Sequence, residues 1–210
     1  MGAWADGRWA PILAALFLAA CATNEPPATP AVPTLTAFAQ CRAALSELRA
    51  VYELVPPQHT REGCGFDEAV RISAAPIPFN RPAVLACPMA LAFSRFTEEV
   101  LQPAAQRHLG QPVVKVQQVS SYQCRRVNGV GRLSQHAYAD AIDVTGFDLA
   151  DGRRILVGRD WRGHGAAAAF LKDVAQGGCK LFRATLTPNY DRSHIDHLHF
   201  DLGPDKLCGL

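Results

Sequence analysis

Seven cysteines, at positions 21, 41, 64, 87, 124, 179 and 208, constrain this 210-residue chain more than any other feature. The first follows directly on an apolar run, Trp9 to Ala20 (WAPILAALFLAA), which comes after a polar start with a single Arg. Such a run is too short to span a bilayer, which takes about 20 residues. It has the length and place of the apolar region of a secretory signal. An exported chain meets an oxidising compartment, where cysteines pair. With Cys21 set aside, Cys41, Cys64, Cys87, Cys124, Cys179 and Cys208 form an even set that reads as three disulfides. Three of them precede residue 100 and three follow it, so full pairing needs at least one bridge between the halves. The absence of CxxC argues against a zinc ribbon or a thioredoxin-like redox site.

Leu18-Ala19-Ala20-Cys21 resembles a bacterial lipobox, in which the Cys is lipidated and becomes the new N-terminus. The plainer reading is an ordinary signal cut near Ala20 or Ala22. Residues 22–35 carry Pro26, Pro27, Pro30 and Pro33, a composition that builds neither helix nor core and serves as an extended tether. The expected division is therefore a lipoprotein signal over 1–20, a lipidated Cys21 with its Pro-rich tether over 21–35, and one domain over 36–210. The expected place is a bacterial envelope, anchored by lipid and facing the periplasm. Hydrophobic residues make up 49% of the chain, enough for a real core. The formal charge of +2 gives no bulk reason to expect nucleic acid.

Apolar spacing predicts a helix over Leu35–Val55 and a stronger one over Pro88–Leu109, kinked or divided at Pro103 and closed by Gly110. Strands are expected over Ala69–Ala74, Val113–Val119, Ala141–Phe147, Arg153–Val157, Leu181–Leu186 and His197–Leu202, with a hairpin turn at Asp151-Gly152. A short helix over Ala166–Gln176 is expected to stop at Gly177-Gly178. The class is α+β: helices first, then a compact, mainly antiparallel sheet, with the helices packed on one side.

The histidines are clustered. His194, His197 and His199 fall within six positions, interleaved with Asp196 and followed by Asp201. If His197–Asp201 is a strand, His197, His199 and Asp201 share one face, and Leu198 and Phe200 face a core. Upstream, His136 stands seven residues before Asp143, which sits between Ile142 and Val144. A carboxylate in so apolar a strand needs a partner, either a metal ion or one of Arg125, Arg126 and Arg132. Two His and one carboxylate suit zinc, and three protein ligands leave a position for water, whose acidity is then raised enough to attack a carbonyl. His59, His108 and His164 read as structural. Trp161 reads as core or rim, and Tyr138 and Tyr190 as possible cleft residues.

The pattern S-x-H-x-x-(G/A)-x-A-x-D over Ser134–Asp143, followed by a terminal H-x-H, resembles the zinc peptidases of the D-Ala-D-Ala peptidase, lysostaphin and hedgehog superfamily. Ser121-Tyr-Gln-Cys-Arg125, Arg132 through Asp143, Gly146-Phe147 with Asp151-Gly152, and His194 through Asp201 are similar to the bacterial extensin-like protein C-terminal domain family, from about Cys41 to Cys208. The resemblance implies that His136, Asp143 and His199 hold Zn(2+). It implies Asp196 as general base, with His197 polarising the carbonyl or taking the base role itself, and Arg125 binding a substrate carbonyl or carboxylate. Ser134 and His194 are expected to support the ligands. The expected activity is zinc-dependent hydrolysis of a peptide bond in peptidoglycan. Two alternatives stand beside it: a non-catalytic lipoprotein that holds zinc and binds the wall, and a periplasmic metal carrier.

Overall fold

The computed structural model describes residues 1–2 and 36–210. The expected signal peptide, lipidation at Cys21 and Pro-rich tether fall on residues 3–35, which lie outside the described residues. No described helix is long and apolar enough to cross a membrane. Leu35–Leu210 forms one compact unit.

Helix α1 (Ala37–Glu47) starts at Thr36, whose Oγ1 accepts the Ala39 N–H at 3.2 Å. It does not run to Val55 as the spacing predicts. Arg49 turns left-handed (φ 56°), and the β-branched Val51–Val55 become strand β1. The short pair β2 (Gln58–His59) and β3 (Gly65–Phe66) follows, then β4 (Ala69–Ala75) and β5 (Ile77–Ala86). The composition hides β5, because Pro78 and Pro82 lie inside it and proline removes a ladder donor. A side chain replaces the missing pairing: Asn80 accepts the Gln118 N–H at 2.9 Å and donates to the Gln118 carbonyl at 3.1 Å.

Helix α2 (Cys87–Phe96) carries Pro88 in its first turn, a π-turn spans Thr97–Leu101, and α3 (Gln102–Leu109) ends on Gly110 in the left-handed region. The predicted division near Pro103 is thus present, with Pro103 in the first turn of α3. Strand β6 (Val113–Ser120), β7 (Ala141–Leu149) and β8 (Arg154–Leu156) lead through α4 (Val157–Asp160) to α5 (Ala166–Leu181). The chain closes with β9 (Ala184–Leu186), β10 (Leu198–Asp201) and β11 (Leu207–Gly209).

Gly177-Gly178 does not stop α5, which continues to Leu181 and displaces the strand expected there to Ala184. Here the glycines serve packing. A Cβ on Gly177 would stand 2.3 Å from the Val100 side chain, and one on Gly178 would stand 2.6 Å from the Phe200 ring. The helix lies too close to the π-turn and the sheet for any larger residue.

The main sheet has nine strands in the order β1-β4-β5-β6-β7-β10-β9-β11, with β8 on β7. All pairings are antiparallel except β5 with β6 and β9 with β11. The fold is α+β as expected, but strands and helices alternate instead of segregating along the chain. One face of the sheet packs on the helices: Phe93 and Phe96 of α2 meet Phe200, and Phe147 meets Phe170 of α5. Three disulfides, Cys41–Cys87, Cys64–Cys124 and Cys179–Cys208, join α1 to α2, the β3 loop to the loop after β6, and α5 to β11. Cys64–Cys124 is the bridge between halves that the cysteine arithmetic requires.

Candidate metal centre

Strand alternation sends Leu198 and Phe200 to the core, and both are fully buried. His199 and Asp201 therefore face the other way. β10 pairs with β7 so that His199 stands directly opposite Asp143. Cross-strand partners of this kind bring their Cβ atoms about 5 Å apart. His136 arrives from a 3-10 turn, Gln135–Tyr138, that feeds straight into β7. The turn closes at Ala139, which is buried and left-handed (φ 57°), where only a small residue is tolerated. A turn then a strand explains the seven-residue spacing of His136 and Asp143.

His136, Asp143 and His199 are buried, and one ligand atom from each lies within 4.8 Å of the others. His199 Nδ1 is 2.8 Å from Asp143 Oδ1, and His136 Nε2 is 3.2 Å from both Asp143 Oδ2 and His199 Nδ1. The outer nitrogens are engaged elsewhere. His136 Nδ1 donates to the Ser121 carbonyl at 2.7 Å, and His199 Nε2 donates to Asp201 at 2.8 Å. Those bonds turn the inner nitrogens into acceptors aimed at a carboxylate that can itself only accept. Three acceptors converging in a buried space are satisfied only by a proton or a cation among them. The donor set therefore fits a divalent metal ion, and its N/O composition suits zinc.

Burial opposes the charge on Asp143, but hydrogen bonds and charge from His136 and His199 outweigh it and hold the carboxyl well below the usual range. Burial likewise opposes a charged His199. Asp143 and Asp201 outweigh it and push the ring up to about 9. In the metal-free chain a proton thus holds the place a metal would take. Metal affinity is expected to rise with pH up to about 9, by as much as about tenfold per pH unit while that proton is displaced. Competition against a chromophoric chelator across the neutral range measures this, and a flat profile would count against the site.

The histidine cluster extends past the three candidate ligands. Strand β10 begins at Leu198, so Asp196 and His197 lie in the preceding loop and not on the strand, as the sequence had placed His197. His197 Nδ1 bonds Asp196 at 2.9 Å, which leaves Nε2 on the inner side, 3.6 Å from Asp143 Oδ1. Asp196 is largely exposed, on the far side of the His197 ring from Asp143. His194 Nδ1 bonds Asp191 at 2.7 Å, and its ring lies tilted against that of His197 and edge-on to that of His199, at 5.1 and 5.8 Å between centroids. Each of these imidazoles has an oxygen on its outer nitrogen, which sets tautomer and orientation.

The His194 ring lies edge-on to that of His199, with 5.8 Å between centroids. Ser134 does not reach His136 through its side chain; its carbonyl accepts the Ala137 N–H and so shapes the turn. The bond to His136 comes from the Ser121 carbonyl, with Ser120 Oγ at 3.4 Å. Asp191, Ser121 and the orienting role of Asp201 escaped sequence reasoning. A backbone carbonyl leaves no sequence signal, whereas Asp191 at His194−3 and Asp201 at His199+2 echo the Asp–His spacing and could have been found. Asp143 pairs with histidines and with none of Arg125, Arg126 or Arg132. Trp161 is core, with Nε1 on Asn189. His59 and His108 bond Asp67 and Asp173 away from the site.

The cluster opens into a cleft of about 380 Å³, lined also by Arg125, Arg132, Ser134, Tyr190 and Leu207. Tyr138 is exposed and takes no part in that lining. Fold and site together define a disulfide-bonded α+β protein with a His–Asp–His group able to hold a metal ion at the floor of a cleft. The chain belongs to the family described as extensin-like protein C-terminus, whose profile matches residues 39–209. No curated protein and no solved structure matches it.

Proposed function

We propose that this protein is a zinc-dependent peptidase of peptidoglycan, exported and held by lipid at Cys21 on the periplasmic side of a bacterial envelope. The observation that carries the reading is the buried His136–Asp143–His199 group at the floor of an open cleft, with a fourth imidazole, His197, beside it. The resemblance of its motifs to zinc D-Ala-D-Ala peptidases supplies the substrate class. A membrane tether favours a fixed substrate such as the wall.

When bound, zinc supplies Lewis acidity toward a carbonyl and a water. His136, Asp143 and His199 hold the ion, and Ser121 and Asp201 keep the two rings aimed. Arg125 lines the cleft as a cation for the substrate carbonyl or carboxylate. His197 is the group placed to move protons: Asp196 holds its Nδ1–H, so Nε2 accepts a proton from the attacking water and returns it to the leaving amine. In this arrangement Asp196 acts through His197 and not as the base itself.

His197→Ala is expected to lower kcat on purified muropeptides by about 10²–10⁴ fold with zinc content unchanged. Asp196→Ala should cost less, about tenfold to a hundredfold. Mass spectrometry of metal-stripped and zinc-reloaded protein reads both. One observation favours the non-catalytic alternative: His197 Nε2 is near enough to make a fourth protein ligand, the pattern of a closed structural site. If His197→Ala sheds zinc, and the wild-type protein binds stoichiometric zinc without cleaving any muropeptide, the wall-binding reading replaces the peptidase.

A further inference from the structure

We propose that Gly158, which lies outside the cleft, is a positioning residue for His197: its missing side chain lets the loop that carries the Asp196–His197 pair seat against helix α4. This deepens the peptidase reading, on which its kinetic effect rests.

Residues 187–197 join β9 to β10, and a single 3-10 turn, Arg192–His194, is their only regular element. This loop carries Asp191, His194, Asp196 and His197, so its path decides where the two rings lie. Helix α4 and the residue after it meet the loop near both of its ends. Trp161 is buried and donates from Nε1 to Asn189 Oδ1 at 2.9 Å. At the other end the loop passes over Gly158. A Cβ on that glycine would stand 3.0 Å from the Asp196 Cβ and 3.2 Å from its Cα. Carbon atoms rest at about 3.5–4.0 Å, so any side chain at 158 pushes against Asp196.

The helix has no room to retreat. Val157 is fully buried on one side of Gly158, and Trp161 is held in the core on the other. Asp160 accepts the Leu156 N–H at 2.8 Å, and Leu156 pairs with Gly146 of β7. The loop is the softer partner, since Asp196 is largely exposed and belongs to no strand. Moving Asp196 draws its carboxylate from His197 Nδ1, the 2.9 Å bond that leaves Nε2 facing Asp143. Nothing in its own backbone requires Gly158 to be glycine. Its φ is not positive, and a helix interior disfavours glycine more than any residue but proline. The close approach of Asp196 accounts for it.

The test uses the full-length protein loaded with zinc, as wild type, Gly158→Ala and Gly158→Val. Alanine is the better helix former, so Gly158→Ala alters the contact and not the helix. Cleavage of purified muropeptides is read by mass spectrometry and zinc content by atomic emission. The His197 tautomer is read from its ring nitrogen shifts by NMR at about pH 8, above the ordinary histidine range. The expected result is a kcat lower by about threefold to tenfold in Gly158→Ala and by more in Gly158→Val, with KM within about twofold and zinc unchanged. The Nδ1–H form of His197, in about tenfold excess in wild type, should fall towards parity in the same order. A wild-type tautomer balance in both variants would overturn the positioning role, and so would a fall in kcat matched by an equal loss of zinc. Absence of cleavage by wild type would count against the peptidase reading, while the tautomer balance would still decide the role of Gly158.

Discussion

Asp143→Ala is expected to remove metal binding and to destabilise the metal-free fold by about 3–5 kcal/mol, the cost of taking one partner from a buried charged group. Asp143 is the common partner of His136, His197 and His199, at 2.8–3.6 Å. Without it, His199 keeps Asp201 but loses the carboxylate on its inner nitrogen, and two imidazoles face each other across a small cavity. The sign of the pH effect separates this from ordinary packing loss. The metal-free His199 ring is pushed up to about 9, so its contribution is full below the ordinary histidine range and is lost as pH rises toward 9. The variant should therefore lose most below about pH 6.5 and less under alkaline conditions. Urea denaturation against pH measures this. Zinc at about a thousand times its Kd should add about 4 kcal/mol to wild type and nothing to the variant. A zinc-dependent gain that survives in Asp143→Ala would remove the carboxylate from the site.

Reducing the three disulfides is expected to unfold the domain at physiological temperature. The bridges close loops of 46, 60 and 29 residues. On the chain-entropy account each contributes about 4 kcal/mol by restricting the unfolded chain. Together they match the whole stability of an ordinary domain, about 5–15 kcal/mol. Two of them also brace the cleft. Cys124 precedes Arg125 at the foot of the flap formed by residues 126–133, and Cys208 follows Leu207 in the cleft wall. Loss of Cys64–Cys124 by a double Ser substitution should thus loosen the flap before it unfolds the core, which hydrogen exchange over residues 125–134 would show. A reduced chain that keeps a cooperative transition within about 2 kcal/mol of the oxidised one would contradict the account.

Much of this protein is written in short-range pattern. The even cysteine set requires a bridge between the halves, and Cys64–Cys124 is that bridge. Local apolar pattern located β4, β6, β7 and β10 to within a residue or two, although β7 and β10 are buried on both faces. Three metal-binding candidates, His136, Asp143 and His199, were legible because histidines cluster near a carboxylate in an apolar strand and their spacing resembles a zinc peptidase motif. Other features depend on contacts between distant segments. Whether Val51–Val55 is helix or strand depends on β4 lying beside it, and whether Gly177-Gly178 ends a helix depends on Val100 and Phe200 pressing against it. The direction of each imidazole is of the same kind. Sequence places His197 and Asp196 side by side; only the folded chain leaves Asp196 largely exposed and brings His197 Nε2 to 3.6 Å from Asp143. Local periodicity determines which residues are buried and which chemistry they carry. Register and packing between segments far apart in the chain decide which atoms of those residues meet, since a ring nitrogen is aimed by whatever bonds its other side.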